Sequence, residues 1–206
     1  MALPMQLDEY IDGFSHSTLA PWNNLQPWEI AARSEMIVRS LLSHLPSDYV
    51  VNHEIAIHPS AQVEAGAILK GPLIIGPDCF IAAGGYLRGG CWLESEVIIG
   101  PGAELKSSFI FAGSKLAHFN FVGDSVVGKG VNLEAGSIIC NYRNERADKT
   151  ILVRQAGELH ATNVEKFGAL LGDQVRIGAN AVVAPGALLE QGYIVRRTQL
   201  CDQEIA

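Results

Sequence analysis

The stretch from Leu69 to Leu105 reads LKGPLIIGPDCFIAAGGYLRGGCWLESEVIIGPGAEL, and in it Leu69, Ile75, Ile81, Leu87, Leu93, Ile99 and Leu105 stand six residues apart. The same register reaches back to Ile57 and Val63 and on to Phe111, so ten consecutive sixth positions are apolar. It resumes after a four-residue slip at Phe121, Val127, Leu133 and Ile139, and again, shifted by two, at Leu171, Ile177, Val183, Leu189 and Val195. Helices repeat at about 3.6 residues and strands at about 2, so neither alone explains the pattern. A very short strand plus a turn does. Three such units close one triangular coil, and stacked coils bury the recurring aliphatic residues in a continuous core. The expected fold is an all-β solenoid, a parallel β-helix of hexapeptide repeats.

The chain has 206 residues, enough for one domain with an appendage. Its net charge is −7 and no run of Lys or Arg forms a stripe, which argues against nucleic acid and anionic membranes as partners. Small metabolites fit that balance better. The acidic start lacks a basic n-region and an apolar h-region, and no apolar stretch is long enough to span a bilayer, so a cytoplasmic location is expected. Four cysteines (Cys79, Cys91, Cys140, Cys201) show no CxxC spacing and are read as packing residues.

Residues 1–50 lack the period and read as a helical N-terminal cap. Pro27 suits a helix start with Glu29 in the first turn, and Ile30, Ile37, Leu41 and Leu45 follow near one face until Leu45-Pro46 stops it. Trp22 and Trp28 are expected to pack this helix onto the first coil. Residues 51–198 read as coil with a loop inserted at about 140–170, and 199–206 as a tail. Register breaks at 112–120 and 140–170 are the natural places for function, because loops leaving a regular scaffold carry most binding residues.

Arg88 and Lys106 are 18 residues apart, one full coil, so both project from one face a rung apart. Beside the breaks stand Lys115-Leu116-Ala117-His118-Phe119-Asn120-Phe121-Val122-Gly123-Asp124, then Val131-Asn132-Leu133-Glu134-Ala135-Gly136, then Cys140-Asn141-Tyr142. These strings, with Pro21-Trp22 ahead of the coil, resemble the acetyltransferase domain of bifunctional N-acetylglucosamine-1-phosphate uridylyltransferase/glucosamine-1-phosphate acetyltransferases. They are similar also to the corresponding domain of archaeal sugar-1-phosphate nucleotidylyltransferases. The resemblance covers roughly residues 20–195 and implies a coil wound left-handed, against the usual right-handed crossover.

By that resemblance His118, in an H-x-x-[YF]-x-G-D string, is the general base. An amino sugar must lose a proton before its nitrogen attacks a thioester, and an imidazole ionising at about 6.5 suits that task. Arg88 and Lys106 match the family's phosphate-binding arginine and lysine, a bidentate fork and a point charge. Asn132 and Asn141 match asparagines that hold the sugar and the acetyl group, with Tyr142 beside the latter. Ala135 matches a residue whose backbone meets the acyl carrier. Ala179 stands where the bifunctional enzyme has a serine near the thioester, and backbone donors there could steady an oxyanion. Lys149, in Asp-Lys-Thr, matches a further substrate lysine, with Lys166 competing for the role. Acetyl-CoA as co-substrate, no metal in the site, and a parallel homotrimer with the site between neighbours are also implied.

Several residues depart from the family pattern: Phe119 and Asn120 replace the usual Leu and Ser or Thr, and Gly89 replaces a proline. Phe121 replaces a tyrosine whose hydroxyl lies near the sugar phosphate. Only about fifty residues precede the first repeat and no Gly-rich phosphate loop follows a strand in them, so nucleotidyl transfer is not expected from this chain. Each candidate also has a plain structural reading: Asn, for instance, tolerates the left-handed dihedrals of coil corners. His16, His44, His53, His58 and His160 lack any such context. The expected function is acyl-CoA-dependent acyl transfer to an amino sugar phosphate or nucleotide-linked amino sugar. A noncatalytic sugar-nucleotide sensor or scaffold on the same fold is the alternative. A zinc hydratase would need three converging histidines, and only His118 and His160 are candidates.

Overall fold

The computed structural model describes residues 5–205, so residues 1–4 and 206, the ends of the expected cap and tail, lie outside the described residues. The chain winds as a left-handed parallel β-helix of three faces. The first face runs through Ile55–Ile57, Leu73–Ile75, Cys91–Leu93, Phe109–Ile110, Val126–Val127, Ala169–Leu171 and Ala187–Leu189, with an antiparallel strand, Val50–Asn52, on its first edge. The second runs from Gln62–Val63 through Lys115–Leu116 and Asn132–Leu133 to Ile194–Val195. The third runs from Ile68–Leu69 through Tyr86–Arg88, Glu104–Lys106, Phe121–Gly123, Ile138–Ile139 and Val182–Val183 to Leu200–Cys201, a strand inside the segment read as a tail. Adjacent rungs leave no room at some corners: a Cβ on Gly100 would lie 1.7 Å from the Ala117 carbonyl oxygen, which is why glycine recurs after the inward residue.

The register differs from the sequence reading at two places. Leu93 pairs with Ile110, not Phe111, and Leu105 pairs with Val122, not Phe121. The coil therefore continues through 112–120, by way of Leu116 opposite Ile99. The apparent four-residue slip is two single-residue shortenings, at Leu105 to Ile110 and at Val122 to Val127. Both fall at corners between the third and first faces. Where Gly89 and Gly90 turn one corner with φ of 74° and 85°, the shorter corners turn on a single left-handed residue, Ser107 (φ 47°) or Asp124 (φ 48°). A slip of one residue sends a side chain to the opposite side of a strand. Phe111 is accordingly buried outside the coil, its ring centroid 5.7 Å from that of Phe14 and 5.3 Å from that of Trp92.

The N-terminal segment does not cap the first coil. Single turns at Leu7–Glu9, Phe14–His16 and Ala20–Trp22 precede helices α1 (Pro27–Ala32) and α2 (Ser34–Leu42), and together they lie along the outside of the first face. The direction is reversed: the backbone of Tyr10 bonds Asp173 near the far end, α1 meets Val126–Val127 and Ala169–Leu171, and α2 meets Leu73–Ile75 and Cys91–Leu93. The physical reason is the outer row of that face. Ala56, Ile74, Trp92, Phe109, Val126, Leu170 and Leu188 are apolar and would otherwise meet water, and all are buried against the segment. α1 starts with a capping box in which the Gln26 N–H donates to Glu29 Oε2 at 2.9 Å.

The 140–170 excursion leaves after Ile138–Ile139 and returns at Ala169–Leu171. Inside it Leu152–Gln155 and Glu158–Ala161 form an antiparallel hairpin. Its two-residue turn, Ala156-Gly157, has both φ values positive (48° and 85°), as the right-handed twist of a tight hairpin requires. Ile151, Val153 and Phe167 are fully buried in the apolar layer outside the first face, where the strand Leu152–Gln155 meets Ala187–Leu189 and Phe167 meets Trp28 edge-on at 6.0 Å.

Candidate functional site

Arg88 and Lys106 stand opposite each other on neighbouring strands of the third face, with Gly123 on the next rung. They border an open depression of about 550 Å³ with Phe121, Asn141, Tyr142, Glu165 and Lys166. Gly123 makes this convergence possible. A Cβ there would come within 2.6 Å of Asn141 Nδ2 and 2.7 Å of Phe121 Cζ, so the amide and the ring meet over bare backbone. Lys166 and Glu165 arrive on the returning limb of the excursion, which the Phe167 N–H fastens to the Asn141 carbonyl at 3.1 Å.

Both cations come with internal counterions. Arg88 Nη2 and Nε donate to Glu104 Oε1 at 2.6 and 2.9 Å, and its guanidinium lies 5.6 Å from the centre of the Tyr86 ring. Lys106 Nζ donates to both oxygens of Asp124, at 2.8 and 2.9 Å, and Asn141 Nδ2 donates to Asp124 Oδ2. Asp124 is buried and Lys106 largely so. The depression therefore carries three cations (Arg88, Lys106, Lys166) and three carboxylates (Glu104, Asp124, Glu165), so an incoming phosphate must compete with groups already in place. Sequence reasoning did not single out Glu104 or Asp124. The usable signals were the Gly-Asp that ends the His118 string and the position of Glu104 two residues before Lys106, on the same side of its strand.

His118 is not among the residues lining this depression. It is exposed at the corner between Lys115–Leu116 and Phe121–Gly123, where its N–H donates to Asn120 Oδ1 at 3.0 Å and its carbonyl accepts from the Gly136 N–H at 2.9 Å. Asn120 is buried and its amide donates to the Glu134 carbonyl at 2.8 Å and to Ser137 Oγ at 2.9 Å, which fixes the corner and leaves the imidazole outside. Phe119, beside it, is 71 % exposed.

Asn132 lies on the second face between Lys115 and Arg176. It borders a separate depression of about 470 Å³ with Glu134, Arg176, Arg196 and Arg197. Ala135 and Ala179 sit at the adjoining corner. The Ala135 carbonyl accepts from the Asn180 N–H at 3.0 Å, and the Ala179 N–H donates to Glu134 Oε2 at 2.9 Å, so that donor is already engaged. Arg197, 2.7 Å away, holds the Glu134 carboxyl below the usual carboxylate range. Lys149 is directed elsewhere: its ammonium donates to the carbonyls of Arg143 and Asn144 at 3.1 and 3.0 Å and lies 5.1 Å from the centre of the Tyr142 ring. Of the two competing lysines, Lys166 is the one that borders the depression.

All four cysteines are free thiols, three of them buried and Cys140 half-buried. Burial pushes the Cys79 and Cys91 thiols up to about 11 and raises those of Cys140 and Cys201. Among the described residues no group of three or more His, Cys, Asp or Glu side chains could hold a metal, and no helix is long and apolar enough to cross a membrane. A cavity of about 700 Å³ between α2 and the corners joining the first and second faces, bordered by Trp22, His44, Tyr49, Trp92 and Glu94, contains none of the expected site residues.

No protein-family model matches the chain. Curated relatives do. A bifunctional sugar-1-phosphate nucleotidylyltransferase/acetyltransferase from Sulfurisphaera tokodaii is 32% identical over 185 residues, which are 86% of this chain and 45% of that protein. The bifunctional protein GlmU of Carboxydothermus hydrogenoformans is 38% identical over 135 residues, 63% of this chain and 29% of the relative. The chain thus spans less than half the length of either relative. Among solved structures, a hexapeptide transferase family protein from Anaplasma phagocytophilum superposes with a TM-score of 0.50 at 16% identity, over 68% of this chain and 72% of the other, a likeness of fold.

Proposed function

Because the chain is a hexapeptide-repeat left-handed β-helix homologous to the GlmU-type sugar-1-phosphate nucleotidylyltransferase/acetyltransferases, we propose that it is an acyl-CoA-dependent N-acyltransferase, with acetyl-CoA as donor. Its acceptor is an amino sugar phosphate or a nucleotide-linked amino sugar. The observation that carries this reading is the convergence of Arg88, Lys106 and Lys166 with Asn141 and Tyr142 in one depression. Cations stacked a rung apart suit a phosphate, and a side-chain amide beside them suits a carbonyl. Bound acyl-CoA would supply an activated acyl group and a thiolate leaving group. Arg88 and Lys106 would hold the acceptor's phosphate, Asn132 its sugar, and Asn141 the acyl oxygen. His118 would take the proton from the amine as its nitrogen attacks. Arg176 and Arg196, both exposed beside Asn132, suit the phosphates of the donor.

In this reading a second copy of the chain completes the site, since His118 faces outward from its own coil. Exposed apolar residues beside it and along the second and third faces (Phe119, Ile68, Ile138, Ile194, Leu200) are what a contact between parallel solenoids in a homotrimer would cover. Transfer would be direct, since no cysteine lies in the string beside His118.

The test is thiol release from acetyl-CoA over a panel of amino sugars, their 1-phosphates and nucleotide-linked forms, with His118→Ala alongside. Loss of a general base costs about 10²- to 10⁴-fold in rate, so the variant should fall by that much without losing affinity for acetyl-CoA. Equal turnover by the variant would remove His118 from the mechanism. A second reading, a sugar-nucleotide sensor, is favoured by two observations: both phosphate cations are pre-paired with carboxylates, and Phe121 brings no hydroxyl to the depression. Binding of a nucleotide-linked sugar with no turnover on any acceptor would establish it.

A further inference from the structure

We propose that Asp124 is a positioning residue that couples the two halves of the site, one carboxylate setting both the Lys106 ammonium on the acceptor side and the Asn141 amide on the acyl side. The inference rests on the acyl-transfer reading above. Asp124 is 5% exposed, and both its oxygens accept from Lys106 while Oδ2 also accepts from Asn141. Its main chain is equally fixed. The N–H donates to the Lys106 carbonyl at 2.8 Å, and the carbonyl accepts at 2.9 Å from Gly168, the residue that ends the excursion bearing Glu165 and Lys166. Asp124 turns the corner at φ 48°, where glycine would be conformationally easier. The side chain is therefore what this position gains by not being glycine.

The shared carboxylate makes the two sides respond to each other. A phosphate that draws the Lys106 ammonium toward itself leaves Asp124 less neutralised, and an acceptor with more free charge holds the Asn141 amide more strongly. Acceptor binding then firms the group that steadies the acyl oxygen. By linkage the reverse must hold, with the donor strengthening the acceptor's binding by the same factor. Removing the charge while keeping the shape separates the halves in opposite directions: Lys106 is released to the phosphate, while Asn141 loses its charged partner.

Calorimetric titration of the 206-residue chain with inorganic phosphate and with acetyl-CoA, each alone and with the other saturating, reads this directly. In the wild type each ligand should tighten the other about fivefold or more. In Asp124→Asn phosphate alone should bind more tightly, acetyl-CoA about tenfold more weakly, and the mutual effect should vanish. A residue that merely supports the fold would weaken both ligands together, and that result overturns the proposal. A ligand-free readout guards against misfolding of the variant: the Asn141 side-chain amide resonance, assigned with Asn141→Ala, should shift in Lys106→Met. An unmoved resonance in a protein that binds both ligands sinks the coupling alone. A wild type that binds neither ligand, with the resonance still responsive, sinks the acyl-transfer reading instead.

Discussion

Lys166 borders the Arg88–Lys106 depression while Lys149 commits its ammonium to two loop carbonyls, so the motif position and the spatial position belong to different lysines. A phosphate-binding cation acts in the ground state as much as in the transition state, and its loss raises KM more than it lowers kcat. Lys166→Met should therefore raise KM for a phosphorylated acceptor about tenfold, the cost of one charged hydrogen bond, with a smaller change for Lys149→Met. Steady-state kinetics on the acceptor found in the panel checks it, and a larger effect at Lys149 would restore the motif assignment. The Arg88–Lys106 pairing was legible because 18 residues separate two points on a regular coil. The Lys106–Asp124 pair has the same separation and yet was not. The coil between them is one residue short, so Lys106 faces Gly123 and Asp124 occupies the corner beyond, a place that no uniform period assigns.

Among the elements, the excursion is held to the end of the coil by a cluster of charges around the buried Arg143. Arg143, 7% exposed, donates to both Asp202 oxygens at 2.7 Å and also to the Pro185 carbonyl at 3.2 Å, with Glu204 3.0 Å away. Arg146 pairs with Glu204, and Arg154 donates to the Gln203 carbonyl at 2.7 Å. Residues 202–204 thus clasp the stem that carries Asn141 and Tyr142. Removing one partner of a buried pair strands the other, so Asp202→Asn should cost about 3 kcal/mol at neutral pH by denaturant unfolding. Hydrogen bonding from Arg143 holds the Asp202 carboxyl below its ordinary 3.8. The folded state then binds fewer protons than the unfolded chain, so the stabilisation is full above 3.8 and is lost as pH falls through the lower folded value. The gap between wild type and Asp202→Asn should therefore narrow in acid, and a gap that stays constant to low pH would show the clasp to be steric. The sequence showed where this element leaves the register. It did not show the hairpin, whose short strands carry no long alternation, nor the clasp, whose partners lie 59 residues apart.

Over the whole molecule, two cores share one sheet: the aliphatic column inside the coil and the aromatic-rich layer between the first face and the N-terminal segment. Phe14 belongs to the second, fully buried against Phe111. Phe14→Ala should cost about 3–5 kcal/mol, and because a solenoid's contacts are local the loss should loosen the segment before the coil. Hydrogen exchange read alongside denaturant unfolding tests this; equal loss of protection in both would mean that segment and coil unfold as one unit. What the sequence determined by itself is the repeat. Inward residues every sixth position need only local geometry, so the three-sided solenoid, though not its left hand, the stacking of Arg88 on Lys106 and the departure of the excursion follow from counting. Only the tertiary structure decided which way Phe111 and Phe121 point, where the N-terminal segment lies, which carboxylates already hold the cations, and that His118 faces away from them. Those outcomes turn on single-residue shortenings at corners and on contacts between distant segments. A period averages over the first and does not contain the second.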